Sequence, residues 1–513
     1  MHHLEGLTRR DFLKLISLVP ATIYSRPIMK LAGNANVDTP NVIIIVFDAW
    51  SQHNVSLYGY RRRTMPNLEK FAENATIFHR HYSPGVFTVP STASLLTGLY
   101  PWSHRAFQLS AGISHTHTSH SIFAALSRTH STLAFTQNEL ADEILFQLEA
   151  DLDEHATARL FDVQRPNLYG AHIFDKDHRI AYASLHDNLV QLGSGFDSSM
   201  FFGPLYRLRR TRERTQIKRQ YKRDYPLGLP RTPSFYLLSD VVQGAIDLLK
   251  GIQQPALTYL HFWTPHEPYA PSKDFFGTFS DGWNPPEKQV HSLSDEKNNI
   301  DKLRVQRRYY DEYIANWDDE VARLFQFLKE SRLTETSYII VTADHGEMFE
   351  RGELGHRTRT LYDPVIHIPL IILSPGQTQR KDVHSFTSSI DLLPTLANLT
   401  GNPIPDWIEG KLLPMFGGAE DDRRSIFSME ARTNSSFTPL IHFSASITRD
   451  HHRLVYYHYP RLKYENYEFY DLDADLEEMN DLYPSSPSLA KEMQDELQQK
   501  ISEVDKPFQH SSL

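Results

Sequence analysis

Cysteine is absent from all 513 residues. Its absence excludes a disulfide framework, a thiol nucleophile and any Cys-ligated zinc or iron–sulfur centre, so a metal would have to rest on His, Asp, Glu or hydroxyl oxygen. Basic charge is not in excess either. Lys and Arg number 53 against 63 Asp and Glu, a formal net charge of −10, which argues against a nucleic-acid binder with its basic surface. Long hydrophobic runs are missing too. The apolar stretch Leu15 to Tyr24 falls well short of the roughly 20 residues a membrane-spanning helix needs, so no transmembrane helix is expected. No internal repeat is visible.

What is present describes a soluble globular chain: 40% of residues are hydrophobic and 23% charged. The length suits one large α/β domain with a satellite, or two to four domains of about 150 residues each. Histidine is frequent, at 26 residues. Surface composition alone would explain that excess unless individual histidines prove well placed.

The N-terminus reads Thr8-Arg9-Arg10-Asp11-Phe12-Leu13-Lys14, followed by the short apolar stretch and then Ala32-Gly33-Asn34-Ala35. Paired arginines before a weakly hydrophobic run read as a twin-arginine-type export signal over residues 1–35, with a periplasmic or extracellular destination. The alternative is an amphipathic helix with two exposed arginines.

From Asn41 to Asp48 the chain is apolar without alternation and rich in β-branched residues, as in a parallel strand buried on both faces. Thr132 to Phe135, Leu257 to Trp263, Tyr338 to Thr342 and Ile368 to Leu373 repeat the pattern. Between them lie amphipathic segments at Met65 to Asn74, Ser239 to Ile252 and Asp311 to Ser331. The alternation predicts an α/β fold with a mostly parallel central sheet, helices on both faces, and ligands bound outside the carboxyl ends of the strands. The stretch from about 151 to 231 reads as an irregular insertion. It carries the basic run Arg207 to Arg223, which is either a solvated helical face or a surface for peripheral contact with anions. From residue 401 to 513, strand-like segments at Ile441 to Ile447 and Arg453 to Tyr459 and a polar helix at Ser488 to Val504 predict a smaller C-terminal α+β subdomain.

Polar residues close several strands: Asp48 after the first, His266 in Thr264-Pro265-His266-Glu267-Pro268-Tyr269, and Asp344-His345-Gly346-Glu347 after the fourth. Singly, each reads as a cap or a structural side chain. Gathered at one sheet edge, carboxylates and imidazole would form a site for a divalent ion.

Together with Leu57-Tyr58-Gly59-Tyr60, Thr64-Met65-Pro66-Asn67-Leu68, the segment Thr88-Val89-Pro90-Ser91-Thr92-Ala93-Ser94-Leu95-Leu96-Thr97-Gly98, Gly355-His356, Asp391-Leu392-Leu393-Pro394-Thr395-Leu396 and Phe469-Tyr470-Asp471-Leu472, these motifs resemble the sulfatase branch of the alkaline phosphatase superfamily. The resemblance implies an alkaline-phosphatase-like fold, with a sulfatase-like catalytic domain over residues 36–400. It implies that Thr88 occupies the nucleophile position, where sulfatases carry the cysteine or serine that becomes formylglycine. Oxidised threonine would be a ketone, so no formylglycine is expected. Other departures are Ala49 after Asp48, Thr92 where an arginine is usual, His345 in place of asparagine, and no Lys-x-His pair near Phe135-Thr136-Gln137-Asn138.

What remains is similar to threonine-nucleophile members of the superfamily. That likeness implies one divalent metal on Asp48, Thr88, Asp344 and His345, with Mn²⁺ or Zn²⁺ foremost and Mg²⁺ or Ca²⁺ as alternatives. His266 and His356 match the family's substrate-binding histidines; Glu347 and Arg357 are further candidates. The expected activity is hydrolysis of phosphate mono- or diesters through a covalent threonine intermediate, on an anionic small-molecule or envelope-derived ester. Hydrolysis of sulfate esters without formylglycine, transfer of phosphoethanolamine or glycerol phosphate, and a non-catalytic binding role are the alternatives.

Overall fold

The computed structural model describes residues 39–509 except 110, 157–159, 162, 164–202, 233, 295–298 and 486. The export-signal expectation for residues 1–35 lies outside the described residues. The described residues from Pro40 onward form one compact unit.

The strands are β1 (Asn41–Phe47), β2 (Thr76–Phe78), β3 (His81–Tyr82), β4 (Ser131–Thr136), β5 (Glu154–Ala156), β6 (Ala256–Phe262) and β7 (Ser337–Ala343). They are followed by β8 (Leu370–Leu373), β9 (Lys381–Val383), β10 (Thr387–Ser388), β11 (Ile426–Glu430), β12 (Phe443–Arg449), β13 (His452–Tyr459) and β14 (Tyr464–Asp471). The helices that matter below are α1 (Pro66–Ala72), α2 (Thr88–Thr97), α3 (Glu139–Gln147), α4 (Gly203–Gln220), α5 (Leu238–Lys250), α6 (Ile300–Glu330) and α7 (Ser488–Asp505).

Eight strands make the central sheet, in the order β5-β4-β6-β1-β7-β8-β2-β9. Every residue of β1 is buried, which explains its unbroken apolar run. Alternation divides that strand between two cores. Val42, Ile44 and Val46 join Val89, Ala93 and Leu96 of α2 on one face. Ile43, Ile45 and Phe47 pack on the other face against Leu68 of α1, Val241 and Val242 of α5, and Trp317 and Val321 of α6. The Phe47 and Trp317 rings meet edge-on with centroids 5.4 Å apart. Each such buried side chain stabilises the sandwich by about 1.5–3 kcal/mol.

Two expectations need correction. The strand expected within Ile368 to Leu373 is β8, and it runs antiparallel to both β7 and β2. After β7 the chain stays at the carboxyl end of the sheet through residue 366, then re-enters from that end, so its direction is reversed. The helix expected at Asp311 to Ser331 begins at Ile300, where the Asn299 side chain accepts from the Lys302 N–H. Its first turns bury Leu303, Arg307 and Tyr310, an inner stripe that the charged residues between them obscure in the sequence.

In the described part of the 151–231 stretch, the basic run lies largely on α4, whose side chains from Thr211 onward are exposed or half-buried; residues 164–202 of that stretch lie outside the described residues. Besides a two-stranded β10-β3 pair, β11-β12-β13-β14 form a separate antiparallel sheet at the C-terminus. Ala490, Met493 and Leu497 of α7 share a core with that sheet and with Tyr100 and Trp102. The sheet is tied to the rest of the chain by the Met429 N–H donating to the Pro84 carbonyl at 2.8 Å and by the Ser428 hydroxyl donating to the Ser83 carbonyl at 2.7 Å. Buried Arg424 adds a two-pronged pair with Asp391 at 2.6 and 2.5 Å.

Candidate active site and metal centre

Register builds the site. Val46 of β1 stands beside His261 of β6 and Thr342 of β7, and His261 stands beside Thr136 of β4. Because side chains alternate, Asp48, Asp344 and Asn138, each two residues beyond these partners, project to the same side as His261. Four adjacent strands therefore deliver Asn138, His261, Asp48 and Asp344 to one spot at the carboxyl end of the sheet.

Thr88 arrives from above. Phe87 is extended, at φ −156° and ψ 169°, and Thr88 is the first residue of α2, whose start has no side-chain cap. All ten residues of α2 are buried, so its first N–H groups and the positive end of its dipole face the site rather than bulk water. The Asn138 amide donates to Asp48 Oδ2 at 2.5 Å and to Thr88 Oγ1 at 3.1 Å. Thr88 Oγ1 lies 3.5 Å from His345 Nε2.

His345 follows Asp344 directly. Its Nδ1 donates to the Gly346 carbonyl at 2.9 Å, so in the neutral ring Nε2 carries the free lone pair. That nitrogen is 3.5 Å from both Asp48 Oδ1 and Asp344 Oδ2. No side chain fits at Gly346, where a Cβ would sit 2.1 Å from the Pro364 carbonyl oxygen. Ala49 adopts the left-handed region, at φ 56°. Its N–H donates to Asp344 Oδ1 at 3.2 Å, and its carbonyl accepts from the Tyr310 hydroxyl at 2.6 Å. The position after Asp48 therefore still serves the site, through its backbone.

The donor set fits a cation. Asp48, Asp344 and His345 each present one ligand atom within 4.8 Å of the others, and all three are buried. Asp48 Oδ1, Asp344 Oδ2 and His261 Nε2 have no hydrogen-bond partner among the described residues. Orphaned buried oxygens of this kind are costly unless a positive charge answers them. Burial, with Asp344 alongside, pushes the Asp48 carboxyl well above the usual range, and a divalent ion would reverse that. A second His/Asp group is of a different kind. His53 and His367 both reach Asp363 Oδ2 at 2.6 Å, while Arg453 takes the other oxygen at 2.5 Å. Those are hydrogen-bond distances in an already compensated charge cluster.

Further out, Met348 and Gly355 exchange backbone hydrogen bonds of 3.1 and 2.9 Å. This hairpin folds His356 back onto Glu347, whose Oε1 faces His356 Nδ1 at 3.1 Å, while Oε2 accepts from the Tyr269 hydroxyl at 2.9 Å. His266 lies four residues beyond the end of β6, with Nδ1 donating to the Glu267 carbonyl at 2.7 Å. The rings of His345, His356 and His266 follow one another at centroid distances of 4.3 and 4.7 Å, a file leading from the carboxylates outward. Burial lowers the His266 imidazole to about 3 and takes His356 well below its ordinary value; burial also raises the Glu347 carboxyl well above its own. Arg357 is half-exposed at the outer end, 3.9 Å from Glu267 Oε1. The walls there include the C-terminal module: Arg432 donates to the Arg357 carbonyl and the Ser444 hydroxyl to the Arg359 carbonyl.

The structure thus brings Asp48, Thr88, Asp344 and His345 together, with His356 and His266 in sequence behind them. Sequence reasoning missed His261, Asn138 and Tyr310. A lone His in an otherwise apolar strand (Leu257 to Phe262) and an Asn before a helix were the available signals.

A mostly parallel central sheet flanked by helices, with a buried carboxylate–imidazole centre under a helix start, defines the class. The chain belongs to the sulfatase family, whose model (Sulfatase) matches residues 40–402, while a second model (N-sulphoglucosamine sulphohydrolase, C-terminal) matches residues 352–507. Choline-sulfatase of Rhizobium meliloti is 23% identical over 467 residues, covering 86% of this chain and 82% of that protein. The multifunctional alkaline phosphatase superfamily protein PehA of Trinickia caryophylli is 23% identical over 531 residues, covering 92% and 97%. Among solved structures, the phosphonate monoester hydrolase of Agrobacterium radiobacter superposes with a TM-score of 0.67 at 18% identity, covering 91% of this chain and 96% of that one. Sulfatase-family enzymes use a metal ion. No helix among the described residues is long and apolar enough to cross a membrane.

Proposed function

We propose that this sulfatase-family hydrolase is a metal-dependent phosphoesterase acting on phosphate mono- or diesters through a covalent intermediate on Thr88. One observation carries the reading: Thr88, which has no route to formylglycine, opens a buried, uncapped helix with its hydroxyl beside His345 and beside Asn138, whose amide it shares with Asp48. Asp48, Thr88, Asp344 and His345 would hold the metal, with Mn²⁺ or Zn²⁺ the preferred ions. When bound, it would supply positive charge beside the reacting phosphoryl group and lower the pKa of the Thr88 hydroxyl.

The protein's own groups do the rest. Thr88 loses its proton to water, and its oxygen attacks phosphorus, forming the Oγ–P bond as the P–O bond to the leaving alcohol breaks. Asn138 fixes the direction of attack by donating to Thr88 Oγ1. The free N–H groups at the start of α2 receive phosphoryl oxygens. His356, oriented by Glu347, and His266, oriented by the Glu267 carbonyl, are neutral in the empty site. An incoming phosphate ester anion favours their protonated forms, so that one can give a proton to the departing oxygen. Water then breaks the Oγ–P bond and releases phosphate when the substrate is a monoester, or the remaining phosphate monoester when it is a diester. Transfer to an acceptor alcohol would share the first half of this sequence.

A second reading, hydrolysis of sulfate esters by unmodified threonine, is favoured by the similarity to choline-sulfatase. Parallel assays of aryl sulfate and of aryl phosphate mono- and diesters with Mn²⁺ or Zn²⁺ separate the two. Thr88→Ala is expected to abolish turnover while metal binding persists in part, and wild-type protein trapped on a slow substrate is expected to gain the mass of one phosphoryl group at Thr88. An unchanged rate in Thr88→Ala would remove the covalent mechanism. We also propose export through residues 1–35, in keeping with Arg9 and Arg10 ahead of a short apolar stretch.

A further inference from the structure

His261 is fully buried on β6 and is not among the four residues assigned to the metal above. Its Nδ1 faces the Tyr259 hydroxyl at 3.1 Å. The other ring nitrogen, Nε2, has no hydrogen-bond partner among the described residues, yet it lies 3.7 Å from Asp48 Oδ2 and 3.7 Å from Asp344 Oδ2. Those separations are too long for hydrogen bonds. They resemble the 3.5 Å at which His345 Nε2 stands from Asp344 Oδ2 and from the other oxygen of Asp48, Oδ1. Two donors on one ion, with bonds of about 2.1 Å meeting at a wide angle, lie roughly 3.5 Å apart. A buried polar nitrogen left without a partner is destabilising.

Sequence supplies the complementary fact. Ala49 follows Asp48, and an alanine side chain has no donor atom. Ala49 turns its backbone to Asp344 instead. The residue after Asp48 thus gives the centre no side-chain donor, and one buried imidazole of otherwise unexplained orientation points at it.

We propose that His261 is a further ligand of the divalent ion, entering through Nε2 from the β6 side and supplying a donor that the Ala49 side chain cannot. The inference rests on the metal-centre reading given above. Tyr259 is then a positioning residue, holding the ring through Nδ1 as partners behind metal-bound imidazoles do. Two imidazoles with two carboxylates and a hydroxyl favour first-row transition ions and zinc over Ca²⁺ or Mg²⁺.

The test uses full-length protein stripped with chelator and reloaded with Mn²⁺, which also serves as the spectroscopic probe. Electron spin-echo modulation of the wild type is expected to report two histidine nitrogens, and His261→Ala is expected to report one. Mn²⁺ affinity is expected to fall by more than about 100-fold in His261→Ala and by about 10-fold in Tyr259→Phe. Zn²⁺ preference over Ca²⁺ should shrink in the same variant. If His261→Ala does not give folded protein by circular dichroism, His261→Asn carries the same measurements. A single nitrogen in the wild type, or an affinity for Mn²⁺ within threefold of wild type in the variant, overturns the His261 assignment and leaves the four-residue centre standing. Wild-type protein that binds neither Mn²⁺ nor Zn²⁺ overturns the metal reading as well.

Discussion

Asn138 performs two tasks that mutagenesis can separate. Its Oδ1 accepts from the Leu140 N–H at 2.8 Å and caps α3, while its amide nitrogen serves Asp48 and Thr88. A lost cap costs about 1 kcal/mol, and a lost hydrogen bond to a buried carboxylate costs about 1.5–3 kcal/mol. Asn138→Ala should therefore lower the stability of metal-free protein by about 3 kcal/mol at pH 8. Asn138→Asp keeps the cap but puts an oxygen where the donor was, against Asp48. At low pH the two carboxyls share a proton; at high pH they repel, so the pair's folded pKa is raised above the unfolded value of about 4. Its penalty is absent below that value and grows as pH rises toward the raised one. Urea midpoints of chelated protein at pH 5 and pH 8 provide the assay. Asn138→Ala should lose most at pH 8, because the Asn138 amide favours the ionised form of Asp48, and mainly the cap at pH 5. Asn138→Asp keeps the cap, so it should lie near wild type at pH 5 and fall well below it at pH 8. The reasoning is refuted if Asn138→Ala stays within about 0.5 kcal/mol of wild type, or if the difference between Asn138→Asp and wild type does not change with pH.

Three further outcomes are expected. Burial lowers the His104 imidazole to about 3, below the unfolded value of about 6.5, so the unfolded chain takes up its proton first and stability is lost as pH falls below that value. Between pH 6.5 and 5 the loss is about 2 kcal/mol; thermal melts of His104→Gln should show a flatter acid limb. Arg424→Ala strands the buried Asp391 carboxylate, which also holds the Ser388 and Lys411 N–H groups. A loss of about 3–5 kcal/mol is expected, read from urea midpoints, with a smaller loss in the double variant Arg424→Met, Asp391→Asn. Replacing Arg9 and Arg10 by lysine should leave the protein in the cytoplasm of an expressing bacterium, as cell fractionation would reveal; undiminished export would remove the twin-arginine reading.

The parts of the site legible in the sequence lie along the chain, and the parts that were not lie across it. Asp48 and the Asp344-His345 pair stand directly after apolar runs that announce buried strands, so their place at the sheet edge follows from local pattern. His261 and Asn138 matter because β6 and β4 lie beside β1 in a particular register, and no local window contains that information. Tyr310 is hidden for another reason. It sits among the charged first turns of α6, where the inner stripe of Leu303, Arg307 and Tyr310 is too mixed to read as apolar. The direction of β8 was likewise out of reach, since Leu370 to Leu373 is as apolar as a parallel strand and only the path of the preceding loop reverses it.

The hydrogen bonds that β11 makes to Ser83 and Pro84, and those from Arg432 and Ser444 to the loop behind His356, have a consequence for the order of synthesis. Ribosomes deliver Asp48, Thr88 and Asp344 well before the strands that brace the Thr88 turn and wall the outer site. A nascent chain therefore carries every reactive group while its framework is unfinished. The bracing of the site by its last-synthesised module thus completes a framework whose reactive groups were made first.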